Sequence, residues 1–288
     1  MTHDQIPQLD DARTKEARLV EWLRAQGSIA IGYSGGVDST YLAAVAVATL
    51  GADHVVAIVG RSASYPASQW TMARRVARQI GLAIVEIDTD ELNDPRYAAN
   101  PTNRCYFCKT ELWTRLVPVA HERGVTVVAD GSNADDAHDF RPGTRAGQEH
   151  GVVSPLAMFT LTKSEIRERS RHHGLPTWEQ PSSPCLSSRI PYGTPVTVGR
   201  LKRVERAEAA LRRLGIQGDL RVRHFGEVAR VELNRAELPR WSASPMRERL
   251  EAAVMQSGYA RAEIDPDGFR SGALNQLALA RGASLSRD

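Results

Sequence analysis

Apolar positions follow two different rhythms along this chain. Between residues 12 and 26, Leu19, Val20 and Leu23 share one side of a helical wheel, and Gly27 ends the run. Near-continuous apolar segments then alternate with helical ones. The residues around IAI at 28–33 form a first strand, followed after a glycine turn by a helix extending to about residue 50. HVVAIV at 54–59 is a second strand, 66–80 a helix opened by Pro66, and LAIVEI at 82–87 a third strand. Strands without polar alternation are covered on both faces, so this βαβαβ order predicts a parallel sheet between two helix layers. Residues 88–104, polar and carrying Pro95 and Pro101, read as a surface excursion. A helix over 105–122, a fourth strand over 125–129, a short fifth over 152–155 and a helix over 162–173, capped by Thr160 or Thr162, complete the half.

The rhythm changes after the proline-bearing stretch 174–184, which predicts a domain boundary dividing 1–180 from 181–288. Residues 201–214 are an Arg-rich amphipathic helix. DLRVRHF at 219–225 and VARVEL at 228–233 alternate cleanly, and the Gly226-Glu227 link between them predicts an antiparallel hairpin. A helix over 246–256 and a last strand and loop follow, and 282–288 read as a frayed tail. The expected architecture is α/β, a Rossmann-like parallel sheet, with a smaller C-terminal α+β domain. No internal repeat is visible.

Composition narrows the class. The chain has 288 residues, 42% hydrophobic and 25% charged, ordinary for a globular protein. No stretch approaches the ~18 uninterrupted apolar residues of a membrane span, and acids precede any apolar run at the N-terminus, unlike a secretory signal. Basic and acidic residues nearly balance, 37 against 34, with no basic tract interleaved with aromatics, so a nucleic-acid partner is not expected. Three cysteines without an export signal predict a reducing, cytoplasmic setting in which the thiols act as chemical or metal ligands.

The chemistry begins at SGGVDS. A strand, a glycine turn and a helix start present free backbone N–H groups to a phosphate, so Ser34, Gly35, Gly36, Asp38 and Ser39 are expected around pyrophosphate. Asp38 is also a candidate to position Mg²⁺; simple helix capping is the plainer role for Asp38 and Ser39. Ser62, past the second strand, is a positional candidate for adenine or ribose. Asp130, Asn133 and Asp135 follow strand 4 at the same sheet edge, which suits Mg²⁺ or ribose, or else a solvated loop. Neither GxxxxGK[ST] nor GxGxxG is present.

Cys105 and Cys108 form a CxxC pair at a helix start, which serves metal binding, redox exchange or a cluster equally well. Zinc needs a fourth ligand, and His121, His138 or His172 could supply it only through the fold. Cys185 lies in a proline-bounded loop before Ser187, Ser188 and Arg189, a setting unlike the core placement usual for a lone thiol. Arg221 and Arg223 share one strand face, with Glu232 expected on the same side, as a grip for phosphate or carboxylate or as a solvated face. Arg270 and Ser271 suggest a second anion site, one that subunits could share. Met158, Trp113 and Trp178 read as packing residues.

SGGVDS resembles the PP-loop of the ATP pyrophosphatases, an adenine-nucleotide α-hydrolase-like fold that splits ATP into AMP and pyrophosphate. CYFCKTELW, DGSNADD, RPGTRA, SPLA, PCLSSRIPYG and DPDGFRSGALN, in this order, narrow the resemblance to the LarE family over about residues 15–280. Those enzymes are the ATP-dependent sulfur transferases of nickel-pincer nucleotide biosynthesis, which supplies lactate racemase. The resemblance implies adenylation of a carboxylate of pyridinium-3,5-biscarboxylic acid mononucleotide, loss of pyrophosphate, and displacement of AMP by sulfur. It implies ATP and Mg²⁺, a homo-oligomer, and a sulfide donor left open. Substrate would meet Ser188, Arg189, Arg221, Arg223, Glu232, Arg270 and Ser271. Cys105, Cys108 and Cys185 match the members that carry a [4Fe-4S] cluster on three cysteines; other members have only the cysteine matching Cys185 and sacrifice its sulfur, leaving dehydroalanine. A tRNA thiolase, an amidating PP-loop synthetase and a non-enzymatic nucleotide sensor are the rival classes.

Overall fold

The computed structural model describes residues 11–138, 142–181, 183–270 and 272–280. The first half runs α1 (Ala12–Gln26), β1 (Ile29–Gly32), α2 (Val37–Leu50), β2 (Val55–Arg61), α3 (Ala67–Gln79) and β3 (Ala83–Asp88). Then come α4 (Pro95–Ala98), α5 (Arg104–Glu122), β4 (Val128–Ala129), α6 (Gly143–Glu149), α7 (Pro155–Met158) and α8 (Lys163–His172). The remainder is α9 (Val198–Arg213), β5 (Leu220–Phe225), β6 (Val228–Leu233), α10 (Leu238–Trp241), α11 (Met246–Met255), β7 (Arg261–Ile264) and α12 (Ala273–Ala280). Two compact units result: Met1–Gly60, Ser68–Asp88 and Leu112–Gln180 make the first, and Arg61–Ala67, Thr89–Glu111 and Pro181–Asp288 the second.

The first unit holds a four-stranded sheet in the order β3-β2-β1-β4, with β1 parallel to both β2 and β4. The two central strands are buried as the sequence predicts, with Ile29, Ala30, Ile31, Ala57 and Ile58 no more than 1% exposed, whereas β3, expected to be covered alike, lies at the sheet edge and has no fully buried residue. Leu19 and Leu23 of α1 and Leu42 of α2 lie in the same unit with no exposure. Placing β4 beside β1 puts the loops that follow these two strands next to each other at the carboxyl edge, where open α/β sheets bind ligands. A charged staple joins three helices of this unit. Glu16 of α1 accepts hydrogen bonds from Arg169 of α8 (2.7 and 2.9 Å), Tyr41 of α2 (2.6 Å) and His173 (3.0 Å).

In the second unit β5 and β6 form the expected antiparallel hairpin and β7 joins β6 in parallel. Leu211 of α9, Val222, Val231, Trp241 and Leu250 close the core over this sheet. A second apolar cluster gathers Tyr97, Leu186, Ile190, Val196, Leu201 and Val204, with Ala63, Leu92, Phe107 and Cys108 packed against it.

Three expectations need correction. The stretch 88–104 is no surface excursion: Glu91, Tyr97, Asn100 and Arg104 are all buried, because Pro95 starts a short helix, α4, that turns Tyr97 inward. The fifth strand at 152–155 is reduced to one bridge between Val153 and Ala129, since Pro155 opens α7 at its first position. Met158, read as a packing residue, is 51% exposed at the end of that helix. The tail 282–288 lies outside the described residues.

Candidate functional site

The SGGVDS turn is built before any ligand arrives. Gly35 has φ +68°, and a Cβ there would lie 2.4 Å from the Cβ of Ala73, so backbone and space both demand glycine. Gly36 is the N-cap of α2 and no side chain caps it, which leaves the first-turn N–H groups facing the mouth of the turn. Neither Asp38 nor Ser39 therefore serves as the cap. The Ser39 hydroxyl instead meets Ser34 Oγ at 3.1 Å and receives the Ser34 N–H at 3.3 Å, folding the turn on itself. Gln69 Nε2 of α3 donates to Ser34 O at 3.0 Å.

The loop after β4 fits against the same helix start. A Cβ on Gly131 would come within 2.9 Å of Ser39 N, so the two loops touch backbone to backbone. Asp130 spends its carboxylate on the loop, accepting from Ser132 N (3.0 Å), Ser132 Oγ (2.8 Å) and Ser154 Oγ (2.8 Å). Asn133 is buried and accepts the Asp135 N–H at 3.0 Å. Asp135 in turn accepts the N–H of Lys163 at 2.8 Å, fixing the first residue of α8. Thr162 and Glu165 complete a capping box there, selecting Thr162 from the two caps expected.

Lys163 is the residue that sequence reading missed. Its Nζ lies 2.6 Å from Asp38 Oδ2, across 125 positions of chain. The other oxygen, Asp38 Oδ1, is buried with no hydrogen-bond partner. A carboxylate with one oxygen on a lysine and the other open at a phosphate-type turn is suited to a divalent cation. A cue was present in TLTKSEIR, where the capping box places a lysine at the start of a helix.

The cysteines lie in the second unit. Cys105 is exposed, while Cys108 and Cys185 are half-buried. Burial raises the Cys108 thiol well above its ordinary range, and Glu91, Cys185 and Cys105 push it further the same way. Glu91 is itself buried; its Oε1 accepts from Ser62 Oγ (2.6 Å) and Ser64 Oγ (2.7 Å), and its Oε2 has no partner. Ser62 thus belongs to a carboxylate network. The chain around Cys185 is held by Leu186 N donating to Ser64 O (2.8 Å) and by the Tyr97 hydroxyl against Ser187 Oγ (2.6 Å). Burial lifts the Tyr97 phenol above its ordinary range, and the charges of Cys185 and Cys108 lift it further. Cys108 thus lies within electrostatic reach of both Cys105 and Cys185. Among the described residues, no three His, Cys, Asp or Glu side chains already stand as a metal-ligand set.

The expected anion-gripping arginines are buried and mostly matched. Arg189 pairs with Glu208 at 2.9 Å, and Arg223 pairs with Glu232 at 2.7 Å while donating to Ser188 O at 2.8 Å. Arg221 faces Glu232 across the hairpin and stacks its guanidinium 4.9 Å over Phe269. Burial, with Arg189 beside it, brings its pKa down to about 10. The solvated-face alternative for these strands does not hold. Arg270 is partly exposed and pairs with Asp267 at 3.2 Å. Ser271 lies outside the described residues. Trp113 is buried, as a packing residue should be.

Comparison with known proteins identifies the lineage. The NAD synthase family model matches residues 17–116, the stretch that carries the PP-loop and three of the four sheet strands. The chain is 32% identical over 262 residues to pyridinium-3,5-bisthiocarboxylic acid mononucleotide synthase of Lactiplantibacillus plantarum, covering 91% of this chain and 94% of that one. The chain belongs to the LarE family. It is also 43% identical over 247 residues to an uncharacterized protein of Synechocystis sp., covering 86% of this chain and 91% of the relative. An uncharacterized protein of Methanocaldococcus jannaschii is 28% identical over 209 residues, 71% of this chain and 77% of that one. The LarE fold is accordingly a PP-loop domain, with the general ATP-dependent enzyme function that this loop carries. Among the described residues no helix is long and apolar enough to cross a membrane.

Proposed function

We propose that the protein adenylates a carboxylate of pyridinium-3,5-biscarboxylic acid mononucleotide and replaces the activated oxygen with sulfur. Alignment across nine-tenths of both chains with a synthase of the bisthiocarboxylic product is the observation that carries this reading. A carboxylate resists substitution because its oxygen is a poor leaving group; an acyl adenylate exchanges that oxygen for AMP, which leaves readily. ATP is attacked at its α-phosphorus by the substrate carboxylate and pyrophosphate departs. The N–H groups of Gly35 to Ser39 and the Lys163 ammonium face the departing charge, the arrangement that lowers a barrier most. The residues fit Mg²⁺: Asp38, with its open buried oxygen, would hold it, and the ion would neutralise phosphate charge. Asp130, Asn133 and Asp135 act here as positioning residues, holding the loop and α8.

Sulfur chemistry falls to the cysteines. In donor chemistry the three thiols suit a [4Fe-4S] cluster, and Cys105, Cys108 and Cys185 would hold it. Such a group supplies an iron without a cysteine ligand, able to bear a sulfide for transfer. Ser188, Arg189, Arg221, Arg223 and Glu232 would face the phosphate and carboxylates of the nucleotide, with Arg270 and Ser271 as a further anion contact. The enzyme would be cytoplasmic and homo-oligomeric.

The test is pyrophosphate release with ATP and Mg²⁺, comparing the pyridinium mononucleotide with tRNA and with ammonia plus a carboxylate acceptor. Release that needs the pyridinium nucleotide supports the reading. Release driven by tRNA alone assigns a thiolase, and ammonia-dependent release assigns an amidating synthetase; either sinks it. Anaerobic iron and acid-labile sulfide content then decides the cluster, since stoichiometric zinc without iron would remove it. Loss of 34 Da from Cys185 per turnover, the mass of H₂S, would assign the sacrificial route instead.

A further inference from the structure

Lys15 of α1 is a lysine drawn away from water, its side chain 13% exposed, and the two acceptors that hold it belong to the segment around Lys163. Its Nζ donates to Thr160 O at 2.9 Å and to Glu165 Oε1 at 2.7 Å. Those acceptors stand three residues before and two residues after Lys163. A long side chain withdrawn from water and held at two points is far more restricted than a surface ion pair, in which both partners stay solvated.

The segment bracketed in this way is tightly constrained. Thr160 has φ +53°, a left-handed conformation that a β-branched residue adopts only where its surroundings impose it. Leu161 is fully buried, and its carbonyl receives the Ala134 N–H at 2.9 Å. Glu165 divides its carboxylate: Oε2 accepts from Thr162 N at 2.8 Å in the capping box, and Oε1 takes Lys15. Burial works to raise the Glu165 carboxyl, but Lys15 and Thr162 outweigh it and hold it below its ordinary range. The Lys163 backbone is pinned by Asp135 Oδ2 at 2.8 Å, and its ammonium reaches Asp38 Oδ2 at 2.6 Å. Every link from Lys15 to the phosphate turn therefore lies within the first unit.

We propose that Lys15 is a positioning residue for Lys163: it fixes the turn 160–165 so that the Lys163 ammonium stands where pyrophosphate charge develops. The inference rests on the reading of the SGGVDS turn as the pyrophosphate site and is independent of the sulfur chemistry. A lysine side chain has many rotamers, and displacing a group of this kind by about 1 Å costs up to about 100-fold in rate. Lys15 acts through the backbone and Glu165, not on the phosphate. Glu16, the next residue, grips the same helix through Arg169, six positions beyond Lys163, and supplies the control.

The test is calorimetric titration of the full-length protein with inorganic pyrophosphate in metal-free buffer. K163M should weaken binding at least about tenfold, the scale of a lost hydrogen bond to a charged group. K15M should weaken it about fivefold, and in the K163M background it should change nothing, because both losses run through one ammonium. K15R keeps donors for Thr160 O and Glu165 and should restore most of the affinity. E16Q loosens the other contact between α1 and α8 and should lower stability with pyrophosphate binding unchanged. Far-ultraviolet dichroism verifies folding; should K15M not fold, E165Q takes its place, since its amide still accepts from Thr162 N and only the charge facing Lys15 is lost. Equal K15M losses with and without Lys163, or an E16Q loss as large as that of K15M, overturn the positioning role. Binding weakened by K163M and untouched by K15M overturns that role alone. Binding untouched by K163M, or absent from wild-type protein, overturns the pyrophosphate reading with it. Failure of the sulfur-transfer reading shows elsewhere, as no pyrophosphate release with the pyridinium nucleotide, and leaves these affinities as they are.

Discussion

The phosphate turn of the first unit and the thiol region of the second solve opposite problems. The turn is made almost entirely of backbone and short side chains within six residues, and glycines set its shape. Its charges, Asp38 and Lys163, are partly exposed and pair with each other. The thiol region is assembled from segments around residues 62–64, 91–108 and 185–192, and it buries Glu91, Arg104, Arg189 and Arg223. A site for a large polyanion can remain open to water and rely on many weak N–H donors. A site for reactive sulfur gains from exclusion of water, and a few costly buried charges then decide its behaviour.

Several variants can break this division. The largest effect is expected from Cys185→Ala, which should abolish sulfur transfer while ATP-dependent pyrophosphate release stays measurable; repeated turnover to the thiocarboxylate by this variant would remove Cys185 from the mechanism. Next is Arg223→Gln, which leaves Glu232 buried without its partner and should cost about 3–5 kcal/mol in urea unfolding, even without substrate. A loss near zero would mean that the arginine is solvated and only grips ligand. Lys163→Met should slow pyrophosphate release by about 100-fold, the scale for one charge-stabilising donor, with unfolding of the second unit unaffected.

Gly131→Ala forces a Cβ against Ser39 N and should cost about 1–3 kcal/mol, read as a lower melting temperature together with weaker ATP binding. The smallest effect is pH-dependent. Burial alone would raise the Glu16 carboxyl, but Arg169, Tyr41 and His173 outweigh it and bring the pKa down to about 2 from an ordinary 4.5. Its contribution is complete above the ordinary value and fades as pH falls toward about 2. The gap in urea midpoint between wild-type protein and Glu16→Gln should therefore be wider at about pH 6 than at about pH 3. A constant gap would show that the staple acts without ionisation.

How far each region was legible follows from the same contrast. The parallel sheet, the hairpin and the SGGVDS turn are written in contiguous residues, so periodicity and a glycine pair suffice to locate them. Lys163 escaped because its partner is 125 positions away and a lysine beside a cap looks like solvated surface. Glu91 and Arg104 escaped for a stronger reason. In the polar run 88–104 they read as exposed, and only Tyr97 of α4, turned inward, shows that this run is core. The pairing of Arg223 with Glu232 was half visible, since alternation places both on one face, but alternation cannot tell a ligand grip from an internal ion pair.

The backbone contact between Gly131 and Ser39 also bears on how this protein can change over generations. Two loops, some ninety residues apart in the gene, share a single van der Waals boundary, so neither can gain bulk alone. Drift in one must wait for an accommodating change in the other. Across descendants of this chain, the segments DGSN and SGGVDS should vary as a linked pair, and a library that randomises only one of them will return mostly inactive clones.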